Sequence, residues 1–401
     1  SSAQATPNLI SITLTSIDLN AIKARSELLQ SCFMYLTSSA LQDARGNQVQ
    51  DISHTAALQA SQITQDTTRP TLVSYLLDMN LGKLVLTFSE TVDAATLNVS
   101  TIVLQNAASG SASVRLVDGT VVIPALNSPV VTVMLGSTDM GAIQLTTAVA
   151  RGVASTYLTL SAGGIEDMSQ NAVVAIADGS AKQASSFVTD STRPSLQHLD
   201  FVMRTNSDGH YIQPVTVTLV FSEMVRATSL SAQALTLQAS ATSAAVSYTL
   251  TGASNPSTTN GKTLSFTLTL ADLHGLQNTA GLARAASSTF ASLTSMLVQD
   301  MYGNAVNSVA ASSGHAVRTY AADMVAPAVS AFTLNMNAGT LTLTFSEPVR
   351  TADVNVTMLT LQSTGNSDGT APSFRLTDGT VGDTISATVV IGMIASDLNT
   401  I

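Results

Sequence analysis

The chain has no tryptophan, a single cysteine, few aromatics and few charges: of 401 residues, 4% are aromatic and 10% are Asp, Glu, Lys or Arg. Each shortage excludes something. Cys32, set in "LLQSCFMYLT", cannot form an intramolecular disulfide, and its apolar neighbours read as those of a buried structural thiol rather than a reactive one. The lack of disulfides does not exclude the cell exterior, because domains above about a hundred residues hold together on core packing alone. Basic residues are outnumbered, 16 Lys and Arg against 26 Asp and Glu for a net charge of -10, which leaves no basic stripe for nucleic acid or an anionic membrane surface. No apolar run spans a bilayer; the best, Ala387 to Ala395, is about half the length needed. The opening "SSAQATPNLI" lacks an initiator Met, a basic segment and a long apolar run, so it does not read as a signal peptide; a processed start or a window on something longer is expected.

Catalytic signatures are missing as well. His54, His198, His210, His274 and His315 form no His-x-x-x-His or Cys-His ligand pair, and there is no Gly-x-Ser-x-Gly elbow. "NGKT" at Asn260 to Thr263 imitates the end of a phosphate loop, but Pro256 stands where the first glycine belongs and a strand pattern follows, so it reads as a hairpin turn. The expectation is that the chain is not an enzyme.

What is present is repetition. Phe-Ser-Glu occurs at Phe88, Phe221 and Phe345, spaced by 133 and 124 residues. An Asp-Leu-Asn-like marker starts at Asp18, Asp139, Asp272 and Asp397, and Asp-x-x-Gly-Asn or a close variant starts at Asp43, Asp167 and Asp300. All three keep the same domain-sized period, far longer than a solenoid repeat. Units open at Asp-x-x-x-Pro: 66–189 and 190–322 are whole, 1–65 is the rear half of a preceding unit, and 323–401 is the front part of a following one. The middle unit departs by an insertion at Thr205 to Gln213, and Gln170 replaces glycine in "DMSQN", which puts the tight turn there in question.

Within a unit, apolar residues alternate. Leu84, Leu86 and Phe88 share one face, as do Val217, Leu219 and Phe221, and Leu341, Leu343 and Phe345. Asn, Asp and Gly clusters bracket such runs. In the first whole unit the pattern predicts strands at 71–77, 83–90, 101–106, 113–117, 130–135, 156–161 and part of 172–188. That count and spacing suit an all-β, antiparallel two-sheet sandwich of about seven strands. A short helix is expected after each Asp-Leu marker, capped by Asp18, Asp139 or Asp272, with Ile22, Ile143 or Leu276 pointing inward. Successive units join with almost no linker, and Arg193-Pro194 stiffens one joint.

The string "D-x-x-x-P…L-x-L-x-F-S-E-x-V…D-x-x-G-N-x-V" resembles the bacterial-type Ig-like repeats of S-layer proteins, large adhesins and cell-surface proteins. The Asp-Leu-Asn marker is similar to that of repeat arrays in giant surface proteins of algae and protists. The resemblance covers nearly the whole chain. It implies tandem Ig-like β-sandwiches in an extracellular, structural and filamentous protein, including hair-like appendages of flagella (mastigonemes). The alternative is the stalk of a cell-surface adhesin whose binding domain lies outside this window. Expected partners are copies of itself or other filament and cell-wall proteins, and glycans, with no membrane insertion in this segment.

Recurring polar residues are the remaining site candidates. Glu90, Glu223 and Glu347 fall on the inward parity of their strands, where a carboxylate must be paired or hydrogen-bonded. One reading is a Ca²⁺ site at each unit junction, combining Glu90, Glu223 or Glu347 with Asp66, Asp190 or Asp323 and with Asp167 or Asp300, since Ca²⁺ takes several hard oxygens. The other is that Glu accepts backbone N–H bonds and Asp closes an Asx-turn. No cofactor other than that ion is implied. Asn98-Val99-Ser100 and Asn355-Val356-Thr357 are N-glycosylation sequons at matching positions, ten residues after the Phe-Ser-Glu phenylalanine, where the middle unit has Ser231.

Overall fold

The computed structural model describes residues 9–202, 215–322, 326–365 and 371–401. The insertion at Thr205 to Gln213, His210 and Asp323 lie outside the described residues. The chain divides into two compact units, Ser1–Thr192 and Arg193–Ile401. No described helix is long and apolar enough to cross a membrane.

The first unit opens with helices α1 (Ser16–Lys23) and α2 (Ser26–Gln30) and an antiparallel pair of two-residue strands, β1 (Phe33–Met34) and β2 (Leu58–Gln59). A sandwich follows, built from β3 (Leu72–Asp78), β4 (Lys83–Asp93), β5 (Ile102–Gln105), β6 (Ser113–Arg115), β7 (Thr120–Val122), β8 (Ser128–Met134), α3 (Ser137–Leu145), β9 (Tyr157–Leu160), β10 (Glu166–Asp167), β11 (Lys182–Gln183) and β12 (Ser186–Val188). One sheet runs β12-β3-β4-β8-β7, with β10 on the end of β4; the other runs β11-β9-β5-β6. The alternation seen in the sequence is the reason for this layering. Leu84, Leu86 and Phe88 of β4 are buried, as are Ile102 and Leu104 of β5 and Leu158 and Leu160 of β9, so each sheet contributes one apolar face to a common core. Buried Tyr75 on β3 donates its hydroxyl to the Thr156 carbonyl at 2.9 Å, so the polar tip of a core aromatic keeps a partner.

The second unit repeats the plan with β13 (Leu196–Val202), β14 (Thr216–Val225), β15 (Leu235–Ser240), β16 (Ser243–Thr249), β17 (Gly261–Thr267), α4 (Leu270–Asn278), β18 (Phe290–Leu293), β19 (His315–Ala316) and β20 (Thr319–Ala321). Its sheets run β17-β14-β13-β20 and β16-β15-β18-β19 around one core that includes Leu199, Phe201, Leu219 and Phe221 from the first and Leu235, Leu237, Ala291 and Leu293 from the second. The same unit ends with β21 (Val329–Asn335), β22 (Thr340–Arg350), β23 (Thr360–Gln362), β24 (Ser373–Arg375), β25 (Gly379–Val381), β26 (Ile385–Met393) and α5 (Ala395–Thr400), whose smaller core centres on Leu341, Leu343, Val389 and Ile391. The fold is therefore all-β, with Ig-like sandwiches and short helices.

Three details differ from the sequence pattern. The pairing is antiparallel except that β12 joins β3, and β20 joins β13, in parallel. These strands and β10 are two or three residues long, too short to carry a period-2 signal. The helices start before the Asp of each marker: Thr15, Gly136 and Thr269 are the N-caps, and Asp18, Asp139 and Asp272 lie one turn in. Asp272 accepts from the Thr251 and Gly252 N–H groups, and Asp139 from those of Val117 and Asp118, so this aspartate ties its helix to the preceding turn rather than capping it. Of the inward residues, Ile143 and Leu276 are buried and Ile22 is half-buried. Cys32 is half-buried rather than buried.

The "NGKT" segment is structural. The chain doubles back through it, with Ser254 bridged to Thr267 and Ser257 bonded to Ser265, and Asn260 Oδ1 accepts the Ala227 N–H at 2.9 Å. Asn127 holds the Ala94 N–H in the equivalent place.

Candidate functional site

The recurring residues meet at one end of each sandwich. Serine of Phe-Ser-Glu bonds the residue after the opening proline in both directions: Ser89 with Thr71, Ser222 with Ser195, and Ser346 with Ala328, each hydroxyl accepting an N–H and each N–H donating to a carbonyl. This contact lies at the register shift near the start of β3, β13 and β21, where the regular ladder is broken and a side chain supplies the missing acceptor.

The Asp-x-x-Gly-Asn turns are built alike. Asp43, Asp167 and Asp300 each accept, at Oδ1, the N–H groups two and four residues on, and each accepts the Asn side-chain amide at Oδ2. Gly46 and Gly303 take φ of 85° and 95°, and Gln170 takes 68° in their place, so the turn forms without glycine. Arg69 then donates to the Ala172 and Val173 carbonyls, and Arg193 to those of Ala305 and Val306, pinning the opening segment to the residues just past the turn. Asn171 also donates to the Asp66 carbonyl.

These clamps bring Asp66, Glu90 and Asp167 together, with carboxylate oxygens within 4.8 Å of one another. The fourth member is Lys23, at the end of α1. Its Nζ lies 2.5 Å from Asp66 Oδ2 and also pairs with Glu90 Oε2. Lys23 is 8% exposed and Glu90 6%. Next to them, Asn20 of α1 accepts the Thr91 N–H at Oδ1 and the Thr91 hydroxyl at its carbonyl, so the helix docks on β4 through two adjacent residues. Burial by itself would depress the Lys23 ammonium, but hydrogen bonds and attraction from Asp66 and Glu90 hold it above its ordinary value. For Asp66, burial is outweighed by Lys23 and the Thr68 N–H, and the carboxyl sits low. For Glu90, burial wins: Lys23 offsets it only in part, Asp66 adds repulsion, and the group is raised.

The other candidates are placed as follows. Asp190 is buried and accepts from Gln144 Nε2 at 3.2 Å and from the Thr192 N–H. Glu223 on β14 is half-buried, and Asp300 is fully buried within its turn. Glu347 on β22 is half-buried and accepts from Gln277 Nε2 of α4 at 3.0 Å. Lys23, Gln144 and Gln277 occupy one position, five residues after the Asp of the helix marker, and each reaches a carboxylate of the segment that follows. Sequence reading missed this position because the marker was read for its Asp and its apolar residue; the equivalence of 23, 144 and 277 was the available signal. Asn98 and Asn355 are exposed, and each side-chain oxygen accepts both the N–H and the hydroxyl of the sequon's Ser100 or Thr357.

No protein-family model matches the chain, and no curated protein matches it. Among solved structures it is similar to domains 1–6 of the surface layer protein SbsC, at 12% identity and a TM-score of 0.21, over 82% of this chain and 51% of that one. It is also similar to a Dscam structure, at 10% identity and a TM-score of 0.17, over 82% and 72%. The chain spans about half the length of the surface-layer chains it matches. Likenesses at this level leave the fold to stand on the sheets and cores described above.

Proposed function

We propose that the chain is a structural segment of an extracellular array of Ig-like sandwiches, building a cell-surface filament, flagellar hair or surface layer. The observation that carries this reading is the use made of the recurring motifs. Phe-Ser-Glu, Asp-x-x-Gly-Asn and the opening Arg-Pro serve turns, clamps and the docking of a helix on the segment that follows, and the shared helix-end position contacts an acid downstream at Lys23, Gln144 and Gln277. Such repetition stiffens a linear array, in which stability is a sum of module terms and nearest-neighbour terms. Few charged residues and many Ser and Thr residues suit lateral packing against like surfaces or glycan decoration at Asn98 and Asn355. Electron microscopy of the native assembly tests the reading. Fibres or lattices whose axial repeat matches whole sandwiches support it; isolated rods ending in a distinct globular tip point instead to an adhesin stalk.

A further inference from the structure

Three ionised carboxylates crowded behind a helix end are unstable as neighbours unless a cation sits among them or one of them takes up a proton, because like charges at this range repel strongly away from water. In the first unit the cation is covalently attached. Lys23 Nζ touches Asp66 and Glu90, Asp167 completes the cluster, and Glu90 Oε1 is buried without a hydrogen-bond donor. An ammonium is a compact, strongly hydrated point charge, and between these oxygens it takes the place that a hard, oxygen-seeking ion would take. Gln144 and Gln277, at the same helix position, deliver a neutral amide to their carboxylates and bring no charge.

We propose that Lys23, five places after the Asp of its helix marker, decides how the carboxylates of Asp66, Glu90 and Asp167 are neutralised. Lys23 is a tethered counter-ion that makes its cluster independent of metal. Replacing it with the amide found at 144 and 277 leaves a divalent-cation site of the calcium class among Asp66, Glu90 and Asp167. The lysine thereby fixes one joint permanently, whatever the calcium concentration outside.

The test uses the full chain, stripped of metal by chelator, as wild type and as Lys23→Gln. Calcium is titrated into each and the bound ion counted by calorimetry and equilibrium dialysis. Lys23→Gln is expected to bind one more calcium per chain than wild type, and calcium is expected to raise the Tm of its first unfolding transition while that of wild type stays put. Equal stoichiometry in the two folded proteins overturns the proposal. If Lys23→Gln does not fold in chelator, refolding with calcium supports the proposal, and failure with calcium as without overturns it.

Discussion

At the scale of single residues, the Asp-x-x-Gly-Asn turn separates what a sequence states from what it leaves open. Glycine marks a left-handed position, and its replacement by Gln170 put that turn in question. The structure keeps the turn because Asp167 fixes two N–H groups and the Asn171 amide, and charge-assisted hydrogen bonds of this kind outweigh the local conformational cost. That cost is still present: a non-glycine residue at φ 68° is strained by about 1–2 kcal/mol, partly offset by the greater flexibility glycine gives the unfolded chain. Gln170→Gly is therefore expected to stabilise the first unit by about 1 kcal/mol in chemical denaturation. No gain would mean that the Gln170 side chain contributes contacts of its own. Lys23 shows the opposite limit. Its partner Glu90 lies 67 residues away in sequence, and no local pattern announces a contact of that range.

At the scale of elements, the helices show how neighbouring choices compensate. In α4, Thr269 caps the Asp272 N–H and Gly252 stands in the facing turn. In α3, the cap residue is Gly136, which has no side chain to offer, and Asp118 of the facing turn accepts the Thr138 and Asp139 N–H groups instead. A Cβ on Gly136 would collide with the Asp118 carboxylate and with the Asp118 backbone carbonyl, so the side-chain cap of α4 requires both a small residue at 118 and a shift of the facing turn. Gly136→Thr alone is expected to cost about 1–3 kcal/mol by overpacking, and Asp118→Gly alone about 1 kcal/mol by removing the cap. Combined they recreate the α4 arrangement, so the double variant is expected to be more stable than Gly136→Thr, and a double-mutant cycle measures the coupling. Simple additivity would contradict the exchange.

The same helices differ in their response to pH. Burial tends to raise Asp272, but the Thr251 N–H and hydroxyl, the Thr269 hydroxyl and the Tyr248 hydroxyl bring it below the usual carboxylate value. Its contribution is thus present above the unfolded-state pKa of about 3.9 and is lost as pH falls through the lower folded value. The penalty of Asp272→Asn should accordingly be full at neutral pH and shrink below about pH 4. Asp139 has the opposite sign, raised first by burial and then by the Asp118 charge, because Val117 supplies no hydroxyl where Thr251 does. That a short helix lies at each Asp-Leu marker was readable from its spacing, although the residue that caps it was not. That it would bind the previous turn required the sheet that brings the turn there.

At the scale of the whole molecule, the period of the motifs and the alternation of β4, β14 and β22 were legible because each is a local pattern repeated several times, whereas the parallel edge strands and the extent to which each repeat is covered depend on distant segments. Equivalent residues make the point. Leu199 on β13 is fully buried, while its counterpart Phe332 on β21 is 59% exposed, with Val329, Leu334 and Met336 exposed beside it. The difference lies in the cover: β13 pairs with β20 on its outer edge and faces a four-stranded sheet, and β21 sits at the edge of a sheet accompanied by the two-stranded β23-β24. Apolar residues at matching register positions are thus covered unequally in this chain. Leu86→Ala, at a fully buried position in the first unit, and Leu199→Ala in the second are each expected to cost about 2–5 kcal/mol, whereas Phe332→Ala should cost under about 1 kcal/mol because little apolar area returns to water. Calorimetry distinguishes modules from a single block. If each sandwich closes its own core, Leu86→Ala lowers one transition and Leu199→Ala another; a common shift of every transition by either variant would show that the cores unfold as one, and the description of the chain as a succession of self-supporting modules would have to be given up.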